Sequence, residues 1–244
     1  MDEKFYFPDK DWVNIDSLNY QDIFFPVDND TVHSILVKPN GTVKATVIYF
    51  HGNGNNISKW VNLFKPLIND NFQVCLFDYR GYGKSTGTPT HLNIARDAQL
   101  LLYTLFRRED IINSKLIIYG ASIGTQAAVH LARNNNEKIT GLVVDGMMGS
   151  FTDVALATSP PEYHDAIRNY VISPYSAKED FKYVENIKVL FIHSEEDFIP
   201  IKQAQAIYED VKCVKKFWRY EGKHIEAPVK YSDTFVEYMN WIIN

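Results

Sequence analysis

The sequence predicts an α/β fold in which a mostly parallel, twisted β-sheet carries helices on both faces. Short apolar runs of strand length alternate along the chain with longer segments whose apolar residues recur at helical spacing. Several of the short runs are apolar throughout, as expected of central strands that are covered on both faces. Strands that alternate with helices in this way indicate a mostly parallel sheet.

The first 30 residues are rich in aromatic side chains, and we expect them to pack on the sheet and to enter it as an edge strand. Aromatic rings mostly contribute buried area to protein cores. A lipid-facing or partner-binding arm is the alternative. A turn at Asp28-Asn29-Asp30 then precedes residues 31–37, which alternate in polarity like a half-buried strand.

The later elements follow in order as strands and helices. Apolar runs predict strands at residues 45–50, 73–78, 116–119, 139–145, 187–193 and 214–220. Apolar residues at helical spacing predict helices at residues 57–69, 91–107, 123–133, 201–209 and 229–243. Pro66 should kink or shorten the first of these helices, because proline has no backbone N–H to donate.

Residues 146–185 interrupt this alternation. They separate two predicted strands by more than an ordinary crossover, and they contain Pro160-Pro161, Pro174 and several aromatic residues. We expect this segment to be an insertion that forms a small helical cap. Residues 1–244 as a whole then form a single domain.

The composition is that of an ordinary soluble protein and excludes some functions. The chain has 25 Lys and Arg against 30 Asp and Glu, a net charge of −5, which argues against a nucleic-acid partner. No signal peptide and no apolar stretch of bilayer length is found, so we expect a cytoplasmic protein. Cys75 and Cys213 each lie in an apolar run that is typical of a strand, where buried free thiols are expected.

The pentapeptide Gly120-Ala121-Ser122-Ile123-Gly124 matches G-x-S-x-G, a pattern that is informative only in its context. A predicted strand enters it and a predicted helix leaves it, as a nucleophile elbow requires. The sharp turn would lift the Ser122 hydroxyl above the sheet, and the flanking glycines let neighbouring backbone approach. A plain strand-to-helix turn with a capping serine is the alternative.

A serine hydroxyl needs a base to take its proton, and in such sites the acid and the histidine follow the serine in that order. Among the 7 histidines, His224 is the candidate base, because it lies in the loop between the last predicted strand and the final helix. His193 lies at the end of a strand, where a structural histidine is expected. Metal ligation is not predicted, since the cysteines have no ligand spacing.

An acid must orient the histidine, and Asp197 is the best candidate because it directly follows the strand at 187–193. Glu195 and Glu196 are close competitors. Asp145 is a third, since it ends the preceding strand and some hydrolases draw their acid from that position.

Acyl transfer also needs backbone N–H groups that bind the oxyanion. We assign these donors to Ile123, the residue after the candidate nucleophile, and to Asn53, in the Gly- and Asn-rich loop after the strand at 45–50. A phosphate-binding loop is the alternative, but the lysine and the glycine spacing of such loops are missing.

These motifs together resemble the α/β-hydrolase superfamily. The resemblance rests on His51-Gly52-Asn53-Gly54, Asp78 to Ser85, the elbow at Ser122, Asp197-Phe198-Ile199-Pro200 and His224. It implies that Asp78 to Ser85 is a structural loop. The HGNGNN and DYRGYGKS segments are most similar to small-cap serine hydrolases, a branch that includes acyl-thioester and depalmitoylating enzymes.

The predicted activity is therefore that of a serine hydrolase with Ser122, Asp197 and His224 as its triad. We expect it to cleave carboxylic esters or thioesters of small to medium acyl chains through an acyl-enzyme, without metal or organic cofactor. A lipase or peptidase of the same fold and a catalytically inactive scaffold are the alternatives. The cap aromatics either line the acyl pocket or pack onto the sheet: Phe151, Tyr163, Tyr170, Tyr175 and Tyr183.

Overall fold

A computed structural model describes residues 2–244, which form one eight-stranded sheet flanked by helices. The strands are β1 (Tyr20–Val27), β2 (Asp30–Val37), β3 (Ala45–Phe50), β4 (Phe72–Phe77), β5 (Leu116–Ala121), β6 (Gly141–Asp145), β7 (Lys188–Ser194) and β8 (Val214–Tyr220). Their order across the sheet is β1-β2-β4-β3-β5-β6-β7-β8. β2 runs antiparallel to β1 and β4, and the other pairs are parallel, so the predicted fold class is confirmed.

Helices cover both faces of the sheet. They are α1 (Ile57–Trp60), α2 (Lys65–Asn69), α3 (His91–Leu105), α4 (Gly124–Arg133), α5 (Phe151–Thr158), α6 (His164–Tyr170), α7 (Ala177–Asp180), α8 (Ile201–Asp210), α9 (Ala227–Lys230) and α10 (Ser232–Ile243). α3, α4 and α8 contribute to the apolar cluster on one face, and α1, α2 and α10 to the cluster on the other. Among residues 2–244, no helix combines the length and apolarity needed to cross a lipid bilayer.

The central strands are apolar throughout because each successive side chain enters a different buried layer. In β3, Ile48 and Phe50 join one apolar cluster, whereas Val47 and Tyr49 join the other, and all four are buried. Burying side chains of this size contributes about 1.5–3 kcal/mol each. The parallel strands therefore end at one well-packed edge, and the loops at that edge have a rigid base.

Two predicted helices are wrong as single elements. Residues 57–69 form α1, a 3₁₀ turn at Val61–Phe64, and α2, with Pro66 in the first turn of α2, where a missing N–H costs nothing. The final helix likewise divides into α9 and α10, with Tyr231 between them in a non-helical conformation.

One predicted buried cysteine is also only partly enclosed. Cys75 is buried inside β4, as predicted, but Cys213 precedes β8 and is half-buried. The reason is that β8 is the edge strand of the sheet, so it has a neighbouring strand on one side only. The amino-terminal residues enter the opposite edge of the sheet as β1, as predicted. Tyr6 and Phe25 are buried, while Phe7 and Phe24 remain exposed.

Residues 146–185 carry α5, α6 and α7, and their aromatic side chains have two kinds of environment. Phe151 and Tyr175 are buried, with the Tyr175 ring stacked on His91 at 3.7 Å between centroids. Tyr163, Tyr170 and Tyr183 are exposed to solvent.

Candidate active site

Ser122 occupies a strained turn between β5 and α4. Its φ angle is +52°, in the left-handed region that non-glycine residues seldom adopt. Its N–H donates to the Asp145 carbonyl at 2.8 Å, which fixes the turn against the end of β6. A side chain at Gly124 would have its Cβ 2.1 Å from the Phe50 carbonyl oxygen, so only glycine fits there. This turn has the strand–turn–helix context that the pentapeptide predicted.

His224 and Asp197 form a short hydrogen bond at the same edge of the sheet. His224 Nδ1 donates to Asp197 Oδ2 at 2.6 Å, and the Asp197 side chain is fully buried. The other oxygen, Asp197 Oδ1, accepts from Ile199 N–H at 2.9 Å. Both carboxylate oxygens are therefore engaged, and in the neutral tautomer that carries its proton on Nδ1 the Nε2 atom can accept a proton.

Three further contacts hold the His224 loop. The Ser194 hydroxyl donates to the Gly222 carbonyl and thereby joins the end of β7 to this loop. The Tyr220 hydroxyl donates to the Lys223 carbonyl at 2.7 Å and accepts from Glu226 N–H at 3.0 Å. The backbone on both sides of His224 is thus tied to β7 and β8, which restricts where the imidazole can lie.

The Ser122 turn and the imidazole of His224 both lie next to the end of β6. β6 lies between β5 and β7, and a Cβ built on Gly146, just after β6, would lie 2.5 Å from His224 Cε1. Only a glycine lets the ring approach the sheet edge so closely. Within residues 2–244, Ser122 Oγ makes no hydrogen bond to His224 Nε2, which is buried and without a partner. Such contacts are often long in unliganded sites and tighten when substrate binds.

The competing acids differ from Asp197 in their environments. Glu195 and Glu196 are exposed. Asp145 is buried, and its Oδ2 accepts from the Tyr119 hydroxyl at 2.7 Å. Burial raises the pKa of Asp145 to about 7, because the charged carboxylate loses its hydration. Among the predicted candidates, Asp197 is the carboxylate bonded to His224.

His193 has the structural environment expected of it. It is buried, its Nε2 donates to the Ile199 carbonyl at 2.9 Å, and burial lowers its pKa. It thereby helps to hold the loop that carries Asp197.

The two predicted oxyanion donors have N–H groups available for a ligand. Among residues 2–244, neither the Asn53 nor the Ile123 N–H donates a hydrogen bond. Asn53 follows β3 in an irregular loop whose Gly54 and Asn55 have positive φ angles. Ile123 is the N-cap residue of α4, and the helix dipole favours negative charge at this end of the helix.

Two further features of the structure were not predicted. The Phe198 ring is exposed and lies 4.6 Å from the His224 ring, measured between centroids. A cleft of about 480 Å³ lies between α5 and α8, with this lining: Gly149, Asp153, Leu156, Ala157, Lys178, Lys202, Gln203, Ala206 and Ile207. None of the five cap aromatic residues, for which lining an acyl pocket was one of two alternatives, borders this cleft. In the part of the chain that the structure describes, no three His, Cys, Asp or Glu side chains are arranged to hold a metal ion.

Comparison with known sequences gives relatives that match either almost the whole chain or about two thirds of it. The uncharacterized protein YfhR of Escherichia coli (strain K12) is 29% identical over 96% of this chain and 84% of its own length. Protein bem46 of Schizosaccharomyces pombe is 29% identical over 64% of this chain and 52% of its own length.

Solved structures share the fold at lower identity. An esterase of Pyrococcus furiosus superposes with a TM-score of 0.76 at 18% identity, covering 98% of this chain and 97% of the esterase. An α/β-hydrolase of Vibrio vulnificus superposes with a TM-score of 0.80 at 19% identity, covering 94% and 83%. A sequence profile of the α/β-hydrolase fold matches residues 45–241. The chain therefore belongs to the α/β-hydrolase family.

Proposed function

We propose that this chain is a serine hydrolase that cleaves carboxylic esters or thioesters of small to medium acyl chains. The observation that carries the proposal is the Asp197–His224 hydrogen bond at 2.6 Å, at the sheet edge that also carries the strained Ser122 turn. The esterases among the structural neighbours support the same reaction class.

The mechanism is acyl transfer in two steps. The Ser122 Oγ attacks the carbonyl carbon while its proton passes to His224 Nε2, and Asp197 stabilises the imidazolium that forms. The N–H groups of Asn53 and Ile123 donate to the oxygen of the tetrahedral intermediate. The imidazolium then protonates the leaving alcohol or thiol. A water molecule, deprotonated by the same nitrogen, releases the acid and restores the serine.

We propose the cleft between α5 and α8 for the acyl chain. Its volume suits a small-molecule ligand, and Leu156, Ala157, Ala206 and Ile207 provide apolar contact area. The cleft is flanked by the loop after β6 and by α8, which follows β7 and the Asp197 loop. β6 and β7 both end at the edge of the sheet where Ser122 lies. The alternatives are a lipase, which would act on large substrates such as triglycerides, and a peptidase, which would act on proteins.

The test is hydrolysis of p-nitrophenyl esters from acetate to palmitate by the wild-type protein and by Ser122→Ala. We expect turnover with a maximum at one chain length in the wild type and none in the variant. Equal rates for the two proteins would refute Ser122 as nucleophile. Labelling by a fluorophosphonate separates a hydrolase of narrow specificity, which labels at Ser122, from an inactive scaffold, which does not.

A further inference from the structure

An amino-terminal segment, residues 5–13, crosses the loop that carries Asn53; we call this segment the strap. The N–H of Phe7 donates to two acceptors at once, Asn53 Oδ1 at 3.0 Å and Tyr82 Oη at 2.9 Å. The Tyr82 hydroxyl itself lies 3.5 Å from Asn53 Oδ1. The carboxamide oxygen of Asn53 is thus held by the strap and by a buried tyrosine.

The strap continues along the same loop. The Asp9 carbonyl accepts from Gly83 N–H at 2.9 Å and from Asn56 Nδ2 at 3.2 Å. The Asp9 carboxylate pairs with Lys59 at 2.6 Å, and Val13 N–H donates to Ser58 Oγ at 3.0 Å. The loop after β3 and the helix that follows it are therefore bonded to the strap at successive positions.

The strap is itself anchored away from the loop. The buried Tyr6 hydroxyl bonds His91 Nδ1 at 3.0 Å, at the start of α3. The Phe5 ring packs on Phe151 of α5 at 4.4 Å between centroids. These contacts fix the backbone at Phe7 independently of Asn53, so the Phe7 N–H is a fixed point against which the loop is held.

The loop has no ladder hydrogen bonds, so side-chain contacts and the strap hold it: the Tyr79 hydroxyl donates to the His51 carbonyl and Trp60 Nε1 to the Gly54 carbonyl. Residues 51–56 lie outside helix and strand, and Gly54 and Asn55 adopt positive φ angles. The oxyanion donor in this loop is a backbone N–H, so its direction depends on how the whole Asn53 residue is turned. An anchored Asn53 side chain restricts that rotation.

We propose that the strap is a positioning element of the oxyanion hole, acting through the Phe7 N–H on Asn53. This inference rests on the proposed hydrolase function. The amino-terminal segment thereby tunes transition-state stabilisation although it contributes none of the triad residues.

The test is a double-mutant cycle on p-nitrophenyl acetate hydrolysis. Phe7→Pro deletes the donor N–H, and Asn53→Ala deletes the acceptor while keeping the Asn53 backbone N–H. Each should lower kcat about tenfold, with KM within about twofold, since the lost bond orients a group that acts in the transition state. The double variant should be no slower than the slower single variant. Asp11→Ala, an exposed strap residue, is the control that should retain wild-type kcat.

Three results would overturn the proposal: wild-type kcat in Phe7→Pro, wild-type kcat in Asn53→Ala, or losses that multiply in the double variant. If Phe7→Pro does not fold, as judged by thermal unfolding, Asn53→Ala alone decides, because it removes the same hydrogen bond from the loop side and leaves the residues of the strap unchanged. Failure of the hydrolase proposal is recognised separately, by a wild-type protein that neither turns over esters nor labels with a fluorophosphonate.

Discussion

Replacing Asp197 by asparagine should inactivate the protein while leaving its shape almost unchanged. The carboxylate has two engaged oxygens, one on Ile199 N–H at 2.9 Å and one on His224 Nδ1 at 2.6 Å. An asparagine amide keeps the volume but has one acceptor and one donor end. The Ile199 N–H can only donate, so it will retain the amide oxygen and leave the NH₂ group facing His224.

The NH₂ group of asparagine and the Nδ1–H of His224 would then face each other as two donors, unless the imidazole moves its proton from Nδ1 to Nε2. In that tautomer Nε2 cannot accept the proton of Ser122, so general-base catalysis is lost. The expected loss in kcat is about 10⁴-fold, the size seen when a triad histidine is held in the wrong tautomer. This corresponds to about 5 kcal/mol in the activation barrier.

The assay is kcat for p-nitrophenyl acetate in Asp197→Asn, with Asp145→Asn as the matched control. Asp145 bonds Tyr119, and an amide oxygen can still accept that bond, so the control should stay within about fivefold of wild type. A loss below about tenfold in Asp197→Asn, together with a larger loss in the control, would refute the reasoning and give the orienting role to Asp145.

Other substitutions test the turn, the histidine loop, the cleft and the buried carboxyl. Ser122→Gly should abolish turnover yet raise the free energy of unfolding by about 1 kcal/mol, because glycine adopts the positive φ angle without strain. Denaturant titration measures the free energy of unfolding, and an unchanged value would contradict backbone strain at Ser122. Tyr220→Phe should lower kcat about tenfold in ester hydrolysis, because two hydrogen bonds of the His224 loop are lost; unchanged kcat would show that the loop holds without them. Ala206→Trp should fill part of the cleft and shorten the preferred p-nitrophenyl ester; an unchanged profile would place the acyl chain elsewhere. The pKa of Asp145 is raised from 3.8 to about 7, so the fold favours the protonated carboxyl. The contribution of this group to the free energy of unfolding is therefore complete below about pH 4 and is lost as the pH rises to about 7. The free energy of unfolding of Asp145→Asn minus that of the wild type should therefore increase by roughly 2–4 kcal/mol between about pH 4 and about pH 8. A difference that does not change with pH would contradict the raised pKa.

The sequence contained strong signals for the fold and for which residues are candidates for the site. Hydrophobic periodicity predicted the strands because burial on one or both faces leaves a local pattern. The pentapeptide around Ser122 and the position of His224 after the last strand are likewise local signals. The triad roles remain predictions for the experiments above.

The supporting contacts left no such pattern. The close approach of Gly146 to His224 and the bond from Phe7 to Asn53 join residues far apart in sequence, and neither has a characteristic motif. The break at Tyr231 between α9 and α10 escaped prediction because the apolar spacing continues across it. What sequence reasoning missed is mainly tertiary: which backbone group meets which side chain once the sheet has formed.

The strand order also bears on how the protein acquires activity while it folds. β5, β6, β7 and β8 are neighbours in both sequence and space, so this half of the sheet can grow by successive addition of βα units. The other half requires β3 to pair with both β4 and β5, and the strap to return over the loop after β3. Pairings between distant parts of a chain form slowly, since loop-closure entropy must be overcome first. Reactivity towards a fluorophosphonate should thus appear in refolding only after the bulk of the helical signal, which makes labelling a reporter of the last docking event.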